Sequence, residues 1–223
     1  MVGNQPIPTP SGRLRLGMPH ASDPFFRTFH ALRLKGFAKA DTIAEVADLP
    51  IVLVDEHLSA LAAREWAMFR EARQLWQLTP LGREQHRIAL TDDVGGLRLR
   101  DALHEPYAQF LKLNERFKHL CSDWQMRDGA PNDHSDAEYD RSVVSQLSVL
   151  DTDAAPLLTR FAESLERFSA YASRLARTCQ RVVAGETNMF TGVMCGSYHD
   201  VWMELHEDLI LTQGIDRVTE GSF

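Results

Sequence analysis

The stretch from Asp23 to about Leu90 constrains this chain most, because helix-start and helix-stop signals in it follow one another at short intervals. Asp23-Pro24 reads as a helix start, with Asp as cap and Pro at the first helical position. Phe25, Phe29 and Leu32 then recur at helical spacing, and Gly36 is the stop. A second helix starts near Asp41 and buries Ile43, Ala44, Val46 and Ala47. Asp48-Leu49-Pro50 makes a tight turn, since a residue before proline is biased out of the helical region. A third helix runs from Ile51 to about Arg64, with Val54, Leu58 and Leu61 as its buried stripe.

Two short segments with period-two alternation come next, Trp66–Glu71 and Gln74–Thr79. They read as a β-hairpin, with Ala72-Arg73 as a tight turn that lacks the usual Asn-Gly chemistry. Thr79-Pro80 repeats the helix-start signal before Leu81–Leu90. The paired glycines of Thr91–Gly96 mark a domain border.

The helix–helix–turn–helix–hairpin–helix order, Ile43, Ala44, Leu49, Pro50, Val54, His57, Leu58 and Leu61, and the closing Leu78-Thr79-Pro80-Leu81-Gly82-Arg83 carry a family resemblance. The segment resembles the winged helix-turn-helix regulators of the MarR-like group. It is also similar to a winged-helix-like segment of some pyruvate, phosphate dikinases, which does not regulate genes. The resemblance covers under a third of the chain and implies a fold more than a function. On it, the expected fold is mainly α: a winged helix-turn-helix domain over 22–96 with a small β-hairpin, then an all-helical C-terminal domain over 97–214. A flexible arm over 1–21 and a tail over 215–223 flank them.

If this segment binds double-stranded DNA, the third helix shows Val52, Asp55, Glu56, His57 and Ser59 to the major groove. Two carboxylates there repel phosphate unless they accept from cytosine amino groups. The contacts would therefore fall to His57, Ser59, Arg64, the wing residues Arg70 and Arg73, Arg83, and Arg13 and Arg15 in the arm. Charge matters here. The chain carries a formal −7; residues 1–96 are balanced at eleven basic and eleven acidic side chains, and 97–223 hold thirteen and twenty. That counts against tight non-specific DNA binding, which comes from Lys and Arg on phosphates.

From Leu97 the pattern is helical. Pro106 starts or kinks a helix, after which Phe110, Leu113, Phe117, Leu120 and Trp124 form a heptad-like seam. Arg127–Asp136 reads as a loop and Tyr139–Leu150 as a short helix. Asp153 caps a long helix to about Ala184, with a seam from Leu158 to Val182 that suits a bundle core or a homodimer interface equally. Ser197 caps a last helix, Tyr198 to about Gln213, stopped by Gly214.

A small-molecule effector pocket between these helices would be lined by Trp124, Tyr139, Phe161, Phe168, Tyr171, Trp202 and His206. His199 and His206 are the metal-ligand candidates, but they lie two turns, about 10 Å, apart, so no shared metal is expected. No cofactor is implied. Cys195, Ser197 and His199 lie close in sequence, yet no P-loop, dinucleotide fingerprint or nucleophile elbow accompanies them, and no enzyme is expected. Three widely spaced cysteines suit a reducing cytoplasm, and no run is long and apolar enough to span a membrane. The expectation is a dimeric, cytoplasmic DNA-binding regulator. The alternative is a helical interaction module whose winged helix contacts protein.

Overall fold

The helix caps read from sequence set the frame of the computed structural model, which describes residues 18–95 and 97–215. Asp23 accepts from the amides of Phe25 and Phe26 and opens α1, Pro24–Lys35, which ends at Gly36 with φ 69°. A left-handed residue there suits glycine, which has no Cβ to clash. Two residues of strand, β1 (Phe37–Ala38), lead to α2 (Ala40–Ala47) and α3 (Ile51–Ala63). Between the two helices Asp48 adopts φ 51° and Pro50 precedes the first residue of α3.

The hairpin pairs β2 (Ala67–Arg70) antiparallel with β3 (Leu75–Leu78). Its loop is longer than the two residues expected. Glu71–Arg73 form one turn of 3-10 helix, and Gln74 closes it at φ 52°. Lacking Asn-Gly, the chain uses a wider loop with a single left-handed residue. The sequence pattern also missed β1, which pairs with β3 to give a three-stranded sheet of order β1-β3-β2. Thr79 then caps α4, Pro80–Asp93, by accepting from the Gly82 amide.

The remaining chain is a helical bundle. α5 is one helix, Leu97–Gln125, that passes through Pro106. Leu103, Tyr107 and Phe110 are buried on either side of the proline. Burial of that face overrides the lost backbone hydrogen bond. The expected loop after it holds a two-residue-per-strand hairpin, β4 (Met126–Arg127) and β5 (Ala130–Pro131).

The long seam does not lie on one helix. α6 runs Ala137–Ser164, capped by Asp136, and α7 runs Ser169–Val183. Asp153 is therefore no cap; it sits within α6 and pairs with Arg116 at 2.7 Å. The break is at Leu165, whose φ −136° and ψ 115° are extended. There His20 forms a parallel bridge: its amide donates to the Ser164 carbonyl, and its carbonyl accepts from the Glu166 amide. Periodicity concealed the turn because Leu165 and Phe168 are fully buried at the corner. Of the arm expected over 1–21 only 18–21 are described, and His20 there is held by this bridge; Arg13 and Arg15 lie outside the described residues.

Leu158, Phe161, Leu165, Phe168, Leu175, Cys179 and Val182 are all buried within the one chain, so this seam is bundle core. A short α8 (Asn188–Thr191) precedes α9, Tyr198–Gln213, which Ser197 caps and Gly214 ends at φ 68°. Two main cores result. One is built between Phe25 and Ala89, the other from Leu99 to Ile215. A small cluster of Phe26, Leu90 and Val94 joins them. The protein is mainly helical with a small antiparallel sheet, and no described helix is long and apolar enough to cross a membrane.

Candidate functional site

The candidate nucleic-acid face comprises α2, the turn, α3 and the β2–β3 hairpin. On α3, Ser59 is exposed and its hydroxyl donates to the Asp55 carbonyl of its own helix. His57 is half-buried and turned inward, with Nδ1 2.8 Å from the Thr28 hydroxyl on α1. Burial, first, lowers its pKa from the ordinary histidine value. The outward positions are Val52, which is 68% exposed, Asp55 and Glu56. Arg64 caps the far end of α3 and lies over the rings of Phe25 and Trp66 at 5.0 and 5.4 Å.

The β2–β3 hairpin is more open. Arg70 is exposed and lies against the Gln77 amide, whose oxygen, with the amide turned over, accepts from its Nη2 and Nε at 2.9 and 3.1 Å. Arg73 is exposed in the hairpin loop. Arg83 is exposed beside a cavity of about 260 Å³ that Leu32 and Leu78 also border. Arg70 and Arg73 thus share the hairpin, while Arg64 and Arg83 stand on neighbouring elements.

The expected effector residues do not line one pocket. Trp202 is fully buried, stacked on Phe110 at 5.1 Å and tilted against Phe117 at 4.9 Å, and its Nε1 donates to Asn114. His206 is buried 3.3 Å from the Tyr107 hydroxyl. Trp124 packs on His134 and Phe190, and half-buried Tyr139 sits under Arg127. Phe161 and Phe168 are core neighbours at 5.7 Å, and Tyr171 adjoins Phe168 at 6.0 Å. Large aromatics at helical spacing fill the bundle core and leave no common space. The two metal candidates also separate. His206 is buried, while His199 lines an open cleft, and no group of three metal-ligating side chains gathers among the described residues.

Open space lies between the two cores instead. A cleft of about 840 Å³ is bounded by the end of α1, β1 and α2 on one side and by α7, α9 and the Met194–Gly196 loop on the other. A slot of about 610 Å³ adjoins it, between the α2–α3 turn and the start of α7.

A buried ionic network spans the same junction, and sequence reasoning missed it. Asp208 of α9 is 1% exposed. It accepts from His30 Nε2 at 2.9 Å, the Tyr171 hydroxyl at 3.2 Å, the Thr212 hydroxyl at 3.0 Å and Arg167 at 3.4 Å. His30 Nδ1 lies 2.9 Å from His86 Nε2, so α1, α4 and α9 are tied in one line. Arg167 also donates to Asp93 at 2.7 Å and to Ser22. One signal was legible: Glu204, Asp208 and Thr212 stand at i, i+4 and i+8 of α9, a polar stripe that is buried in the structure.

Burial pushes the Asp208 carboxyl up, but His30, Arg167 and the hydrogen bonds outweigh it and hold the group below the usual carboxylate value. Burial, with the charges of His30 and Arg33, lowers His86 from 6.5 to about 2. Below 6.5 the unfolded chain takes up a proton at His86 that the folded chain refuses. Stability should therefore fall as pH falls, with a slope approaching about 1.4 kcal/mol per pH unit from this site alone. Urea titrations at stepped pH read that slope; His86→Gln should flatten it, and an unchanged slope would refute the assignment.

Comparison with protein-family models, with curated proteins and with solved structures finds no match to this chain.

Proposed function

We propose that the protein is a DNA-binding transcriptional regulator whose first part is a winged helix-turn-helix of MarR-like type. The observation that carries this reading is local. α2 and α3 are joined by three residues, Asp48–Pro50, and are followed at once by the β2–β3 hairpin and α4. A turn of three to four residues is what a helix-turn-helix uses, and β1 completing the order β1-β3-β2 fits a wing. Arg70 and Arg73 on the hairpin are then the phosphate contacts, with Ser59, Arg64 and Arg83 flanking them. A cytoplasmic setting, a homodimer over two half-sites and control by a small molecule belong to the same reading.

The second reading, a winged unit that docks on protein, is favoured by one feature. The outward side of α3 shows Val52, Asp55 and Glu56 rather than cations.

Fluorescence anisotropy separates the two. Labelled DNA from upstream of the protein's own gene should bind more tightly than unrelated DNA, and less tightly as salt rises. Arg70→Ala with Arg73→Ala should reduce the log–log salt slope by about 2, since each lost phosphate contact removes about 0.9. Equal, weak binding to both DNAs would favour the protein-contact reading, and an unchanged slope would remove the wing from the interface. Light scattering on the same samples tells one copy from two.

A further inference from the structure

The cleft between the two cores has a charged floor and an apolar wall. At the floor Arg174 is 6% exposed. Its Nη2 donates to one oxygen of Glu204 at 2.6 Å, and Lys35 of α1 donates to the other oxygen at 2.6 Å. Glu204 is itself 6% exposed. Two cations on one carboxylate leave one positive charge in excess, in a place where water screens poorly. The Arg174 Nε also has no hydrogen-bond partner, although it is buried.

Among the described residues no other acid around the cleft pairs with Arg174 or Lys35, and Asp41 accepts from the Thr42 amide and hydroxyl at the exposed rim. Glu45 holds Arg177, Glu207 pairs with Arg33 at 3.3 Å, and Asp200 accepts from the amides of Met194, Cys195 and Gly196. Above the floor stand Leu34, Phe37, Leu75 and Met203. At about 840 Å³ the space falls within the range of small-molecule sites.

We propose that this cleft binds a small organic monocarboxylate with an apolar body. The carboxylate meets Arg174 and offsets the excess charge, and the body lies along the Phe37 and Leu75 wall. Guanidinium geometry matches a carboxylate. A single negative charge balances the Lys35–Glu204–Arg174 group, whereas a phosphate dianion would overshoot it. The adjoining slot runs from Arg174 and Arg177 to Asp48, Leu49 and Pro50, the turn that sets the start of α3. A ligand that prefers one spacing of α7 and α2 therefore biases how α3 is presented. This last step rests on the DNA-binding reading; the binding site does not.

Isothermal titration calorimetry of the full chain, without DNA, tests the site with octanoate, octylamine and inorganic phosphate as probes. Octanoate should bind saturably, one per chain, with the other two at least tenfold weaker. Arg174→Gln should weaken octanoate at least tenfold. Because that change also loosens Glu204, Phe37→Glu is the second variant. It lies on the exposed rim, should leave the circular dichroism spectrum unchanged, and should also weaken octanoate at least tenfold. No saturable octanoate binding, equal binding of octylamine or phosphate, or wild-type affinity in both variants would overturn the proposal. Octanoate that binds but leaves DNA affinity unchanged refutes the coupling alone. Octanoate that binds a chain with no DNA affinity refutes the regulator reading and supports the site.

Discussion

Asp208→Ala should lower the unfolding free energy by about 3–5 kcal/mol, the range for removing one partner of a buried ionic group. The substitution strips His30, Arg167, Tyr171 and Thr212 of a shared acceptor at once. Arg167 keeps Asp93, but its 5% exposed side chain loses the second carboxylate it bonds. The loss falls at the junction, so it should also separate the two cores in their unfolding. The tryptophans report this. Trp66 and Trp76 pack against the first core, while Trp124 and Trp202 are buried in the second. Wild type should give one urea transition by fluorescence and circular dichroism together, and Asp208→Ala should give two. A single transition with wild-type midpoint would show that the network does not hold the junction. Asp208→Asn, which keeps an acceptor oxygen, should fall between them.

Gly82→Ala should destabilise the first core by about 3 kcal/mol, the upper part of the range for forced overpacking. A Cβ at Gly82 would lie 1.8 Å from the Trp66 carbonyl oxygen and 2.7 Å from its carbon. Those are backbone atoms, so no side chain can move aside. The carbonyl also accepts from the Thr79 amide at 3.0 Å, where β3 turns into α4. Separating the segments would break that bond and the Thr79 cap on Gly82. Urea titration followed at the Trp66 and Trp76 emission should show the loss, while most of the far-ultraviolet helix signal stays. Wild-type stability would mean that α4 can shift freely against the hairpin. The glycine in the Leu78–Arg83 motif is therefore required by close approach, since its own φ is not in the left-handed region.

Helix ends were the most legible part of the sequence. Asp23, Thr79 and Ser197 cap as their side chains suggest, and Gly36 and Gly214 stop helices in left-handed conformations. Those signals are local, a side-chain oxygen or a missing Cβ acting within one turn. Interruptions were less legible. Pro106 read as a start or kink and Asp153 as a cap, yet both lie inside helices, and the true break at Leu165 carries no Pro or Gly. Neighbouring helices decide those positions. The junction was illegible for the same reason. His30 and Asp208 meet from opposite ends of the chain, and nothing near either residue names the other. The aromatic residues read as a pocket are those best suited to fill a core, and residue type alone does not separate these uses. Open space instead faces charged residues whose partners are remote in sequence.

The placement of Arg167 and Asp208 has a consequence for how the chain is made. Every residue of the first core lies before Val94, so that unit is complete in sequence while most of the bundle has yet to be synthesised. Its docking partners, the Leu165 corner that grips His20 and the α9 face that grips His30, come last. Such distant pairings close slowly. The first unit is therefore synthesised in full before Asp208 exists to accept from His30, and that contact waits for α9 to leave the ribosome.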